Sequence, residues 1–195
     1  YQTLPFRLGG NPIRDYGDRL IIPGLVDLHI HAPQYSYRGL GMDMELLEWL
    51  EVNTFPEEAK FEELDYAEKS YRIFTENLKN SATTRACIFA TVHRPATLLL
   101  MDMLEKSGLD TYVGKVNMDR NCPDYICEET QESADATLEW IKDVNHRKYK
   151  NTKPILTPRF TPSCTDELME ELKKLQMRYE LPLQSHLSEN PGEIA

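Results

Sequence analysis

The chain has 195 residues, 41% of them hydrophobic, and a formal charge of -10 at pH 7. That length holds one sizeable core, so one domain or part of a larger one is expected. The acidic balance argues against a nucleic-acid backbone as partner, because phosphates need a basic face. No apolar run approaches the ~20 residues that span a bilayer, so no membrane partner is expected. The opening Tyr1-Gln2-Thr3-Leu4-Pro5-Phe6 lacks a basic then apolar leader, which points to a cytoplasmic protein. Cys87, Cys122, Cys127 and Cys164 are too scattered for a disulfide scaffold and are expected to be free thiols.

Residues 1–22 carry two turn clusters, Gly9-Gly10-Asn11-Pro12 and Gly17-Asp18, flanking Ile13 to Tyr16 and Arg19-Leu20-Ile21-Ile22. They predict two short strands, the fringe of a separate small sheet. After Pro23-Gly24, Val26, Leu28 and Ile30 predict a buried strand. Side chains alternate faces along a strand, so His29 and His31 project on one side, two residues' rise apart, as a claw for one cation. Imidazole suits zinc, iron, copper or nickel, and zinc with an open coordination position is the commonest catalytic use of such a pair.

A loop from Pro33 to Gly41 precedes a predicted helix at about Asp43 to Asn53. A second helix is predicted from about Asp65 to Asn80, with Asp65 and Glu68 as a capping box and Ala67, Tyr71, Phe74 and Leu78 at core spacing. The alternation then becomes regular. Strands are predicted at Thr83 to Val92, Thr111 to Met118, Pro154 to Phe160 and Pro182 to Ser188. Helices between them are predicted at Ala96 to Lys106, at Glu128 to Arg147, and after Thr165 with Leu168, Leu172, Leu175 and Tyr179 inward. Five strands separated by helices mean parallel βαβ units.

Such units close either as an open doubly wound sheet or as a (β/α)8 barrel. The glycine-rich phosphate loops that mark open nucleotide-binding sheets are missing, and the polar residues fall at the C-terminal ends of strands, as in barrels. His186, in Gln184-Ser185-His186-Leu187-Ser188-Glu189, is positioned to be a third nitrogen ligand beside His29 and His31. Glu189, three residues on, could take a proton from the attacking water and pass it to a ring nitrogen and then to a leaving amine. Arg159 offers a planar fork of donors to the edge of a heterocycle, Phe160 could cover its face, and Gln34 offers an amide. Taken singly, each has a plainer reading: a strand-end histidine bonded to a carbonyl, a solvated acid, a surface salt bridge, a core ring, a loop amide. Taken together with the paired histidines they favour a site. His93 has no partner motif and reads as structural or supporting, and His146 as solvated.

Pro23-Gly24-Leu25-Val26-Asp27-Leu28-His29-Ile30-His31 resembles the first-strand signature of the amidohydrolase superfamily. Further lines are His31-Ala32-Pro33-Gln34-Tyr35, Leu46-Leu47-Glu48-Trp49-Leu50 with Thr54-Phe55-Pro56-Glu57, Thr157-Pro158-Arg159-Phe160, and Gln184 to Glu189. The likeness runs from about Gly10 onward and is greatest to members that deaminate guanine. It implies an α/β fold, a partial TIM-like barrel of the first five βα units at 23–195, with 1–22 as the fringe of a small β-sandwich domain. It also implies hydrolysis of guanine to xanthine and ammonia, one zinc (iron being possible) held by His29, His31 and His186, and Glu189 as proton shuttle. Gln34, Arg159 and Phe160 would lie at the purine, and the full-length protein would be a homodimer. The superfamily also uses a sixth-strand histidine and an eighth-strand aspartate, so this chain is expected to be a portion of a longer polypeptide with negligible turnover alone. The alternatives are an amidohydrolase for another aminated heterocycle, or a non-catalytic scaffold.

Overall fold

The computed structural model describes residues 14–194. The strands, in chain order, are β1 (Leu25–His31), β2 (Thr83–Phe89), β3 (Asp110–Gly114), β4 (Val116–Asn117), β5 (Thr152–Pro154) and β6 (Thr157–Pro158). β1, β2, β3 and β5 form one sheet in that order, every neighbour parallel, and β4 pairs with β6 just beyond it. Lys115 separates β3 from β4, and Ile155 and Leu156 separate β5 from β6, so each couple is a single kinked barrel strand. The fifth strand is reduced to two parallel bridges, Leu156 with Leu183 and Phe160 with His186. The result is a partial α/β barrel, as the alternation of strand and helix signals predicts.

The helices are α1 (Leu46–Trp49), α2 (Phe55–Ala59), α3 (Leu64–Lys79), α4 (Arg94–Ser107), α5 (Thr130–Arg147), α6 (Asp166–Tyr179) and the short α7 (Pro191–Ile194). None among the described residues is long and apolar enough to cross a membrane. The main core lies between the sheet and α3, α4 and α5: Ile88, Tyr71, Phe74, Leu100, Met101, Leu104, Trp140 and Ile141 are all buried in it. Each large apolar side chain so buried contributes about 1.5–3 kcal/mol. On the other face of β2, Phe89 joins Leu50, Phe55, Val92, Val116, Met118 and Phe160 in a second cluster under the strand ends.

Two local signals act as expected. The Thr165 hydroxyl accepts from the Leu168 amide and caps α6, and Gly108 ends α4 in the left-handed conformation at φ 80°. Gly114 is required for a different reason, since a Cβ there would lie 1.7 Å from Thr157 Oγ1.

Several expectations are corrected. Arg19–Ile22 forms no strand; residues 18–24 lie outside both sheets and Leu20, Ile21 and Ile22 are exposed, because no described strand offers them a ladder partner. The other expected strand begins at Ile13, outside the described residues, and its Arg14–Tyr16 part is irregular. In β1 only Ile30 packs on the core, while Val26 and Leu28 are 52% and 72% exposed, because β1 is an edge strand paired on one side by β2. The helix expected to stop at Asn53 instead continues from α1 through a π-helical turn, Leu50–Thr54, into α2. Pro56 accounts for the turn: it lacks an N–H, and its ring would clash with the Val52 carbonyl in a regular helix. The Phe55 amide accordingly bonds back to the Leu50 carbonyl. The Asp65 capping box is absent too, because α3 starts at Leu64 with Glu63 as its N-cap and no side-chain cap bond. Finally, Cys122 and Cys127 are disulfide-bonded, leaving Cys87 and Cys164 free. Asn121 in the left-handed region and a turn on the Pro123 carbonyl double this segment back on itself, bringing the two Cα atoms to 5.3 Å.

Candidate active site

Every residue of the predicted constellation sits at or just past the C-terminal end of a strand, the end where barrels carry their sites. His29 and His31 end β1, and Gln34 lies in the 3-10 turn Pro33–Tyr37 that follows. Arg159 and Phe160 follow β6, His186 makes the last bridge of the fifth strand, and Glu189 lies three residues past it. His29, His31, Gln34, Arg159, Phe160, His186 and Glu189 line one cavity of about 200 Å³, walled also by Leu46, Trp49 and Leu50.

The three imidazoles converge although His31 and His186 are 155 residues apart in sequence. Their ligating nitrogens all lie within 4.8 Å of one another, and His31 Nε2 stands 3.0 Å from His186 Nε2. Two ring nitrogens so apposed fit a shared cation, since ligands at ~2.0–2.1 Å from one ion come naturally to such spacings. The rings are held from behind. His186 Nδ1 donates to the Arg159 carbonyl at 2.6 Å, leaving Nε2 to face the cluster. His31 stacks on Phe89 with centroids 4.5 Å apart, the two residues being cross-strand neighbours of β1 and β2. Burial pulls His31 well below the ordinary imidazole range, reinforced by Arg159 and the two neighbouring histidines. Burial also lowers His186, against the opposing pull of the Arg159 carbonyl and the Glu189 charge. Neutral imidazoles are the form a metal binds, so the donor set fits a divalent cation.

Arg159 connects this cluster to the rest of the cavity. Its backbone carbonyl orients His186, and its guanidinium makes a bidentate ion pair with Glu58, Nη1 to Oε2 at 2.6 Å and Nη2 to Oε1 at 3.2 Å. Arg159 is 2% exposed and Glu58 1% exposed, so the surface salt bridge considered from the sequence is in fact a buried one. The guanidinium also lies 5.3 Å from the centre of the Phe55 ring. Gln34 Nε2 lies 3.2 Å from His31 Nδ1 and donates to Glu58 Oε1 at 3.3 Å. His93 and His146 stay outside the cluster; His146 bonds the Lys142 carbonyl on an exposed helix end.

Sequence reasoning missed two residues. Phe89 lay in a predicted strand, but nothing marked it as the ring against which His29, His31 and His186 all pack. Glu58 falls between the two helices the sequence predicts, at Asp43–Asn53 and Asp65–Asn80, whereas in the structure it follows Glu57 in the first turn of α2. Its inward direction depends on the π turn, whose extra residue rotates all that follows by about 100°. The line Thr54-Phe55-Pro56-Glu57 stops one position short of it.

Comparison with known proteins agrees with this geometry. Residues 20–195 match the sequence profile of the Amidohydrolase family. The guanine deaminase of Dictyostelium discoideum is 44% identical over 92% of this chain and 40% of its own length. That of Homo sapiens is 47% identical over 89% and 38%. The chain therefore spans about two fifths of the length of these curated relatives. Among solved structures, the guanine deaminase from C. acetobutylicum with bound guanine in the active site superposes with a TM-score of 0.91. It shows 54% identity over 94% of this chain and 44% of that one. With strand order, histidine cluster and profile in agreement, the chain belongs to the amidohydrolase family.

Proposed function

We propose that the protein carrying this chain hydrolyses guanine to xanthine and ammonia, using zinc held in part by His29, His31 and His186. The observation that carries the reading is the convergence of these three imidazoles in one cavity with a buried Arg159 and with Glu189. The similarity to guanine deaminases, one of them solved with guanine bound, supports the choice of substrate. Zinc, when bound, would supply Lewis acidity and activate water at neutral pH.

The chain's own residues would do the rest. Arg159 donates to the acceptor edge of the purine, and Gln34, seated between His31 and Glu58, fixes its other side. Phe160, Trp49, Leu46 and Leu50 enclose the ring and exclude bulk water. Glu189 accepts a proton from the attacking water and delivers it to a ring nitrogen; it then takes the second proton from the hydroxyl now on the attacked carbon and gives it to the amine, which leaves as ammonia as the carbonyl forms. In this reading residues 23–195 are the first half of the barrel, and the full-length protein is a cytoplasmic homodimer.

The test is Glu189→Gln in the full-length protein. Metal content should be unchanged and guanine turnover should fall by about 100-fold or more, the usual contribution of a general acid-base group. A variant with near wild-type kcat would remove Glu189 from the mechanism, and a wild type indifferent to guanine would reject the substrate.

A further inference from the structure

Glu58 is absent from the cavity wall, yet it holds two residues that form it. Its carboxylate accepts two bonds from Arg159 and one from Gln34. It reaches them from α2, whose orientation is set by the π turn ahead of Pro56. Both members of the ion pair are almost fully buried, and Phe55 lies against the guanidinium. An arginine has five N–H donors in a rigid plane. With two spent on Glu58, the plane is fixed and the remaining donors serve the cavity. The guanidinium's positive charge is also offset where water cannot screen it.

We propose that Glu58 is a positioning residue that sets the plane of Arg159 and the orientation of Gln34. By neutralising Arg159, it tunes the cavity for a neutral planar heterocycle over an anion of the same shape. The proposal rests on the purine reading of the cavity. Left without Glu58, Arg159 would face the cavity as an uncompensated buried cation and would attract an anionic ring.

The experiment is calorimetric titration of the full-length, zinc-loaded protein with hypoxanthine, which is neutral and has no exocyclic amine to lose, and with urate, which is an anion at pH 7. Losing a charge-assisted contact should weaken hypoxanthine at least about tenfold in Glu58→Gln and shift the hypoxanthine-to-urate preference toward urate by a similar factor. Glu58→Asp keeps the charge and moves it, so it should weaken both ligands and leave their ratio unchanged. It also gives an independent reading if Glu58→Gln folds poorly. Folded variants that bind both purines within about twofold of wild type would overturn the proposal. A wild type that binds hypoxanthine but leaves guanine untouched would reject the proposed reaction without touching the role of Glu58. A wild type that binds neither would overturn both.

Discussion

Replacing Arg159 by Met removes a guanidinium and leaves the Glu58 carboxylate, 1% exposed, without its counter-ion. Breaking one partner of a buried pair costs about 3–5 kcal/mol, because the survivor is a desolvated charge. The Gln34 amide, 3.3 Å from Glu58 Oε1, still donates to it, which places Arg159→Met toward the lower end. Glu58→Met strands the guanidinium instead, with only the Phe55 ring and the Arg159 donors' own surroundings to compensate, and should sit toward the upper end. The double replacement removes both charges from an apolar surround, and such swaps are often neutral or stabilising. It should therefore cost less than about 2 kcal/mol, against about 6–10 kcal/mol if the singles added. Urea unfolding of metal-free protein, followed by circular dichroism, measures all four corners of the cycle. Singles costing under about 1 kcal/mol, or a double equal to their sum, would refute the buried, mutually dependent pair. A double variant that is stable yet no longer binds purine would show that the pair is kept for recognition.

Gly114→Ala should prevent folding or give an insoluble product, since the new Cβ would meet Thr157 Oγ1 at 1.7 Å and the Ile155 carbonyl oxygen at 2.6 Å; soluble yield and thermal unfolding decide it. Glu105 accepts from the backbone amides of Lys150, Asn151 and Thr152, fastening α4 to the start of β5. Partial burial pushes its carboxyl up, the three amides together pull it down further, and the net shift is below the ordinary 4.5. The unfolded chain therefore binds the proton first as pH falls. The stabilisation is complete above pH 4.5 and is lost as pH drops through the lowered folded value. Glu105→Gln should cost about 1 kcal/mol near neutrality, allowing for partial exposure, and the difference from wild type should shrink toward acid pH in a stability titration.

Much of the site was legible because its parts are local and chemically specific. Alternation along one strand is enough to put His29 and His31 on the same side. Counting strands is enough to bring His186 near them, since parallel units deliver their C-terminal ends to one face. The Thr165 cap and the stripe of Leu168 and Leu172 mark α6 with equal clarity. What escaped depends on partners far along the chain or on backbone departures that leave no pattern. Glu58 lies between the two helices the sequence predicts, its direction is set by the π turn, and its partner lies 101 residues away. The kinks at Lys115 and at Ile155-Leu156 break strands that read as continuous. Val26 and Leu28 have the composition of a buried strand and lie on an open edge. The Cys122–Cys127 bridge needs a left-handed Asn121, which short-range composition does not announce.

The shared-cation reading of His29, His31 and His186 is tested most directly by zinc K-edge X-ray absorption on the zinc-loaded full-length protein, with and without His186→Ala. Wild type should show imidazole nitrogens at ~2.0–2.1 Å, and the variant should lose one imidazole from that shell. A spectrum unchanged by His186→Ala, or a sulfur shell at ~2.3 Å contributed by cysteine, would contradict it.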